Sequence, residues 1–98
     1  MASVRLSVRA KADLKSIAEY TVHVWGGPQT VQYIAAIQSH CQQLADLTLP
    51  GRSCARLSPG LLRSEYLKHV VFYRPHGDGI LISRILHQSM LPERHTLE

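Results

Sequence analysis

The clearest pattern of apolar and polar positions lies in residues 66–87, where two apolar runs flank a short polar segment. The first run, residues 69–74, is rich in β-branched and aromatic side chains. Residues 75–79 (Pro-His-Gly-Asp-Gly) have the composition of a turn. The second run, residues 80–86, is apolar on both parities of the strand alternation. We therefore predict two paired strands, the second covered on both faces in the middle of a sheet.

The N-terminal half has the spacing of amphipathic helices. Residues 2–7 alternate small or apolar with polar side chains and predict a short first strand, after which Ser7 is placed to cap a helix. Apolar residues then recur every three or four positions from residue 9 to about 25 and from 28 to about 47. Residues 26–28 (Gly-Gly-Pro) end one helix and start the next. So short a link predicts an antiparallel helical hairpin.

The rest of the chain completes a small sheet. Residues 48–60 predict a loop with Pro-Gly at both ends, residues 61–66 a second strand, and residues 90–95 a polar tail with at most one helical turn. The order is β-α-α-β-β-β, with an antiparallel meander joined at its edge by the first strand. The expected class is α+β, with the helical hairpin on one face of a small, mainly antiparallel sheet, in one domain spanning residues 1–98.

Composition excludes several classes of protein. The chain has 98 residues, 45% hydrophobic and 18% charged, which excludes a disordered chain. No apolar run approaches the ~18 residues of a transmembrane helix. The N-terminus also lacks the apolar core of a signal peptide, so we expect a cytoplasmic protein without membrane association. Eleven Lys and Arg against seven Asp and Glu give a net charge of +4, which permits an acidic partner without demanding one.

The two cysteines give no sign of a metal site. Cys41 and Cys54 are too few and too far apart for one. Cys41 falls on the apolar side of the second predicted helix and is interpreted as a small buried hydrophobe. A disulfide is not expected in a reducing compartment. We expect no metal and no cofactor.

An ordered set of short motifs runs through nearly the whole chain. The pieces are Leu6-Ser7-x-x-Ala10-x-x-Asp13-Leu14-x-x-Ile17-x-x-Tyr20, Trp25-Gly26-x-x-Gln29-x-x-x-Tyr33, Gly51-Arg52, Gly60-Leu61-x-Arg63, His69-Val70-x-Phe72-Tyr73-Arg74, Arg84-Ile85-Leu86-His87-x-x-Met90 and Arg94-His95. In this order they resemble the ParE branch of the RelE/ParE superfamily of bacterial type II toxin–antitoxin systems. One departure is the turn before His69, which lacks the glycine usual in this family.

The resemblance implies one of two activities. Proteins similar to ParE poison DNA gyrase by trapping it on cleaved DNA and so block replication, whereas proteins similar to RelE cut messenger RNA on the ribosome. An RNA-cleaving toxin needs a general base, a general acid and cations for the developing phosphorane charge. The candidates for that chemistry are His87 as acid or base, with Arg63, Tyr73 and Arg84, and beside them Lys68, His69 and Arg74.

Two features favour the gyrase interpretation. Residues 70–72 form an apolar run where the nuclease branch usually carries an arginine aimed at the phosphate. The chain also has only three lysines, whereas RelE-like toxins hold ribosomal RNA with a lysine-rich surface. We therefore expect a non-enzymatic gyrase inhibitor.

Four residues near the C-terminal margin of the sheet are the candidates for contact with gyrase or its DNA. They are Arg84, His87, Arg94 and His95. The competing interpretation is structural: Arg84 pairs with a carboxylate such as Asp13 or Glu19, and His87 is a hydrogen-bonded residue at the rim of the sheet.

The resemblance also implies a ParD-like antitoxin, whose C-terminal segment folds into a helix on the toxin and whose N-terminal part binds DNA. A small domain this hydrophobic has difficulty burying all its apolar surface, and a residual patch marks a partner site. We place that site between the helical hairpin and the sheet, with Leu14, Ile17, Tyr20, Tyr33 and Ile37 at its edge. A further alternative is a non-toxic, antitoxin-binding module, since one changed surface residue can abolish toxicity.

Overall fold

The helices and strands follow the predicted order. The computed structural model describes residues 2–90 and 92–97. The elements are β1 (Val4–Leu6), α1 (Val8–Trp25), α2 (Gly27–Ala45), β2 (Arg52–Ser53), β3 (Leu62–Tyr66), β4 (His69–His76) and β5 (Gly79–His87), followed by a 3₁₀ turn (Pro92–Arg94). The α+β class is confirmed.

The two helices begin and end where the sequence signals lie. The Ser7 Oγ accepts a hydrogen bond from the Ala10 N–H at 3.0 Å and so caps α1. Gly26 ends α1 with a φ of 88°, a conformation that glycine adopts without strain. Pro28 lies in the first turn of α2, where its missing N–H costs no helical hydrogen bond. The helices pack against each other as the predicted hairpin.

The sheet has five strands in the order β1-β5-β4-β3-β2. β1 runs parallel to β5, and the other neighbours are antiparallel. The prediction of a loop over residues 48–60 was wrong in one respect, because this segment contains β2, in which Arg52 pairs with Arg63 of β3. Two residues are too few for an apolar alternation to reveal, which explains why the sequence did not predict the strand.

The turn between β4 and β5 is tighter than the predicted turn over residues 75–79. His76 lies opposite Gly79, so only Gly77 and Asp78 connect the strands. Gly77 has a φ of 58°, which glycine accommodates without strain. A Cβ atom at Gly79 would lie 1.8 Å from the Ser3 carbonyl oxygen. Glycine is therefore required there for β1 to lie against the start of β5.

β5 is covered on both faces, as its apolar run predicted. A β-bulge also changes which of its residues face the helices. The register shifts between Phe72 and its neighbour in β4, which leaves Ser83 without a paired residue. Ile82 and Ile85 consequently both face the helices, while Leu86 faces away. The Ser83 hydroxyl donates a hydrogen bond to the Phe72 carbonyl at 3.1 Å, which satisfies the one polar side chain buried in this strand.

Two hydrophobic cores flank the sheet. The larger lies under the helices and contains Ala10, Ile37, Cys41, Leu44, Ala45, Val71, Tyr73, Ile80, Ile82 and Ile85. The smaller lies on the opposite face and contains Cys54, Leu61, Val70, Phe72 and Leu86, with Leu57 and Leu97 packed on it. Cys41 is buried, as predicted, and Cys54 is buried as well; both are free thiols. Among the described residues, no helix is both long and apolar enough to cross a membrane.

Candidate functional site

A groove of about 920 Å³ lies between the helical hairpin and the end of the sheet. Its walls come from α1, the first turns of α2, the β3–β4 turn, the end of β5 and the segment after it. Apolar side chains form much of its rim. Tyr20 and Trp25 are 68% and 69% exposed, so the groove presents aromatic surface directly to solvent.

Three of the five residues predicted to bind an antitoxin line this groove: Ile17, Tyr20 and Tyr33. Leu14 is half-buried and packs against the core under the helices instead. The placement of Ile37 at the edge of the groove was wrong, because Ile37 is 1% exposed and belongs to that core. It lies one helical turn beyond Tyr33, where α2 has passed over the sheet and its apolar side is covered.

Four exposed apolar residues line the groove but were not predicted from the sequence to belong to this site: Val24, Trp25, Leu67 and Met90. Leu67 has a φ of 52° in the two-residue turn between β3 and β4, which contains no glycine. A left-handed conformation costs a non-glycine residue about 1–2 kcal/mol. The strained turn holds Leu67, 67% exposed, at the groove rim. The sequence signal that could have revealed Leu67 as a groove residue is an apolar side chain in a turn position that suits glycine.

A chain of polar groups crosses the floor of the groove. The Tyr33 hydroxyl is hydrogen-bonded to His69 Nδ1 at 2.6 Å, and the rings of His69 and His87 meet edge to face with centroids 5.5 Å apart. His87 Nδ1 is in turn hydrogen-bonded to Ser89 Oγ at 2.8 Å. Burial lowers the pKa of His69, and the neighbouring His87 lowers it further. Burial likewise raises the pKa of Tyr33, so both groups favour their neutral forms.

Arg84 is held in an ion pair at the margin of the groove. Its Nε and Nη2 donate to the two carboxylate oxygens of Asp13 at 2.8 Å and 2.9 Å, and its Nη1 donates to the Thr96 carbonyl at 2.6 Å. The same carboxylate accepts the Ile85 N–H at 2.9 Å. Both side chains are only 14% exposed. The hydrogen bonds to Asp13 raise the pKa of Arg84, and the structural interpretation of this arginine is confirmed.

The four residues predicted to touch gyrase are only partly together. Arg84, His87 and His95 line the groove, the same concavity that holds the antitoxin candidates. Arg94 is exposed in the 3₁₀ turn and does not line it. Two separate surfaces were predicted from the sequence, but most residues of both sets lie around one groove.

The residues predicted for RNA cleavage are only partly together, because Lys68, His69, Arg84 and His87 line the groove whereas Arg63 and Tyr73 do not. Tyr73 is 3% exposed in the core under the helices, packed so closely on Gly51 that a Cβ there would overlap its hydroxyl. Arg63 lines a different cleft, with its guanidinium 5.8 Å from the centre of the Phe72 ring on the opposite face of the sheet. His87 lies in the groove, and the fourth candidate, Arg84, is committed to its ion pair.

The described residues contain no group of three or more His, Cys, Asp or Glu side chains placed to hold a metal ion. The groove is instead suited to an amphipathic segment. Its apolar rim can bury aliphatic side chains, and the histidines and tyrosine of its floor can exchange hydrogen bonds with polar ones.

Comparison with known proteins agrees with this description. The family described as "ParE toxin of type II toxin-antitoxin system, parDE" matches residues 4–92. Toxin ParE1 of Caulobacter vibrioides is 39% identical over 95 residues, covering 97% of this chain and 98% of the relative. Toxin ParE of Escherichia coli is 34% identical over 91 residues, covering 92% and 88%.

A solved structure titled "Chromosomal ParDE TA system from P. aeruginosa" superposes with a TM-score of 0.71 at 25% identity, covering 89% of this chain and 96% of that one. The chain belongs to the ParE toxin family of type II toxin–antitoxin systems. The resemblance found in the sequence motifs is confirmed.

Proposed function

We propose that this ParE-family toxin inhibits DNA gyrase by trapping the gyrase–DNA cleavage complex, and that it acts without catalysing a reaction of its own. Membership of the ParE family supports the proposal, since the resemblance implies gyrase as the target. The observation that carries it is the separation of two nuclease candidates, Arg63 and Tyr73, from the groove that holds His87. A ribonuclease needs its acid, base and cations around one phosphate. Here Arg63, Tyr73 and His87 lie in three different places.

The partner that neutralises the toxin is proposed to be a ParD-type antitoxin. The similar structure from P. aeruginosa is described as a ParDE system, which supports this pairing. The antitoxin's C-terminal segment would fold into a helix in the groove, since that is where large aromatic side chains remain exposed. DNA association would then come indirectly, through the antitoxin's own N-terminal domain.

The shared groove offers a mechanism of neutralisation. His87 and His95, predicted to contact gyrase, line the same concavity as Ile17, Tyr20 and Tyr33. A helix bound there would cover both sets of residues at once. Antitoxin and gyrase would therefore compete for one surface.

The target is tested by two reactions on purified, antitoxin-free protein. In the first, gyrase acts on plasmid with ATP, and lost supercoiling and covalently trapped linear DNA are measured. In the second, programmed ribosomes carry messenger RNA, and codon-specific cuts are measured. We expect trapped DNA and intact RNA. Cut RNA with active gyrase would instead establish the RelE-type nuclease, and inactivity in both reactions would establish the non-toxic module.

The groove is tested by fluorescence, because Trp25 is the only tryptophan of the chain and lies on the groove rim. A tryptophan-free peptide from the antitoxin's C-terminal segment is titrated into the toxin. Burial of the exposed indole predicts a shift of its emission to shorter wavelength that saturates with binding. Tight binding with an unchanged emission would show that the segment lies elsewhere.

A further inference from the structure

A second cleft, of about 340 Å³, opens at the β2 edge of the sheet, away from the groove. Its lining comes from residues 52–57 and from Arg63. Three of these seven residues are arginines, Arg52, Arg56 and Arg63, and none is acidic. It is a basic site that neither the ParE family nor the gyrase proposal explains.

The positive charges of this cleft are poorly balanced. Arg52 and Arg63 occupy directly paired positions on β2 and β3, an arrangement of like charges that destabilises a sheet. Both guanidinium groups share one carboxylate, Glu65, with the Arg63 Nη2 at 3.5 Å. Glu65 therefore offsets one of three charges. An anion bound between these arginines would relieve the remaining repulsion.

Hydrogen bonding is also incomplete in this cleft. The Arg63 Nε is buried and has no acceptor among the described residues, a condition that costs a folded protein free energy. The Arg56 side chain is exposed and forms no hydrogen bond or ion pair within the described part of the chain. All three guanidinium groups act on Cys54: its burial raises the thiol pKa, and the three positive charges lower it. They therefore surround one small volume.

We propose that this cleft binds a phosphate group of a nucleic-acid strand. Guanidinium groups bind phosphate oxygens through pairs of parallel hydrogen bonds, and such contacts dominate binding to nucleic acid. The position at an edge strand favours a polymer, because a long strand can pass the edge of the sheet while one phosphate enters the cleft. The proposal does not depend on gyrase being the target, so each can fail without the other.

The site is located by amide chemical shifts of the full-length, isotope-labelled protein. Inorganic phosphate and a short DNA duplex are titrated separately. We expect both to shift the amides of residues 52–57 and Arg63, with the duplex saturating at the lower concentration. Shifts from phosphate without shifts from the duplex would overturn the proposal and leave a site for small anions. An oligoglutamate peptide that binds there more tightly than the duplex would overturn it in favour of an acidic protein partner.

The charge contribution is tested by matched substitutions. Arg56→Gln removes a cleft cation that has no partner among the described residues, and Arg9→Gln removes an exposed cation at the start of α1. Duplex affinity is measured across a series of salt concentrations. We expect Arg56→Gln to weaken binding and to reduce the slope of log K against log salt by about 1, and Arg9→Gln to leave that slope unchanged. Equal effects of the two variants would show diffuse attraction to net charge and overturn the proposal.

Discussion

The arginines of this protein occupy two contrasting environments. Arg84, at the groove, has a carboxylate of its own, bonded through two nitrogens, and a backbone carbonyl for a third. Arg52, Arg56 and Arg63, at the opposite edge of the sheet, share one carboxylate within the part of the chain that the structure describes. The same side chain therefore serves two purposes. At the groove it holds α1 to β5, and at the cleft its charge is left available.

This contrast separates structural from functional charge. A buried cation whose donors are satisfied inside the protein stabilises the fold only as long as its partner stays. Exposed cations in surplus add little to stability and much to the attraction of anions. Substitutions at the two places should differ accordingly.

The largest effect is expected from Asp13→Ala. This change leaves Arg84 charged and largely buried without its partner, and it removes the acceptor of the Ile85 N–H. We expect the free energy of unfolding to fall by about 3 kcal/mol. Urea denaturation followed by circular dichroism measures it. Glu19→Ala, at an exposed site on the same helix, is the control and should change stability by less than about 0.5 kcal/mol. Equal effects would refute the structural role of the ion pair.

The next effect concerns partner binding at the groove. Tyr20→Ala removes a 68% exposed aromatic ring from the rim, so the free protein should keep its stability. Binding of the antitoxin segment should weaken about 30-fold, the effect of losing an aromatic anchor of ~2 kcal/mol. The matched control is Val31→Ala, since Val31 is 71% exposed on α2 and does not line the groove. An unchanged affinity for Tyr20→Ala, read from Trp25 emission, would exclude this rim as the docking surface.

Much of the fold was predictable because its determinants are local. The Ser7 cap, the Gly26 break and the apolar runs of β4 and β5 each act over a few residues, and each predicted an element that the structure contains. β2 was not predictable from alternation, because two residues contain no period. The bulge at Ser83 was hidden for a related reason, since a strand covered on both faces looks apolar with or without a shifted register.

The sites were harder to predict because they depend on which side of each element is covered. Tyr33 and Ile37 were both predicted at the edge of the antitoxin site, but only Tyr33 lines the groove, because Ile37 is buried in the core. Arg63 was assigned to a nuclease site together with Tyr73. Which residues of neighbouring strands share a face depends on their register, and in this register Arg63 and Tyr73 lie on opposite faces of the sheet. The arginines of the cleft are brought together by β2, so the sequence could not assign them to one site before that strand was known.

A smaller effect is expected from pH, through His69. Its folded-state pKa is lowered from the ordinary value near 6.5, first by burial and then by His87. The unfolded chain therefore takes up a proton more readily than the folded protein. The stability that His69 contributes is fully present above the pKa of the unfolded state, and it is lost as the pH falls through the pKa of the folded state. The free energy of unfolding should decrease over that interval, and less so in His69→Gln. Tyr33→Phe keeps the titrating ring and should retain the decrease, although it loses about 1 kcal/mol with the hydrogen bond. Parallel profiles for wild type and His69→Gln would contradict this assignment.

The smallest effect, and the one that separates the two environments most clearly, is expected from Arg56→Gln. The side chain is exposed and forms no bond within the described residues, and its charge adds to that of Arg52 and Arg63. Its loss should change the free energy of unfolding by about 0.5 kcal/mol or less, in the stabilising direction. Glu65→Gln removes the carboxylate between Arg52 and Arg63 and should have the opposite sign, with a loss below about 1 kcal/mol because the pair is largely exposed. Urea denaturation at low salt measures both. A loss above 1 kcal/mol for Arg56→Gln would mean that this cation, like Arg84, serves the fold.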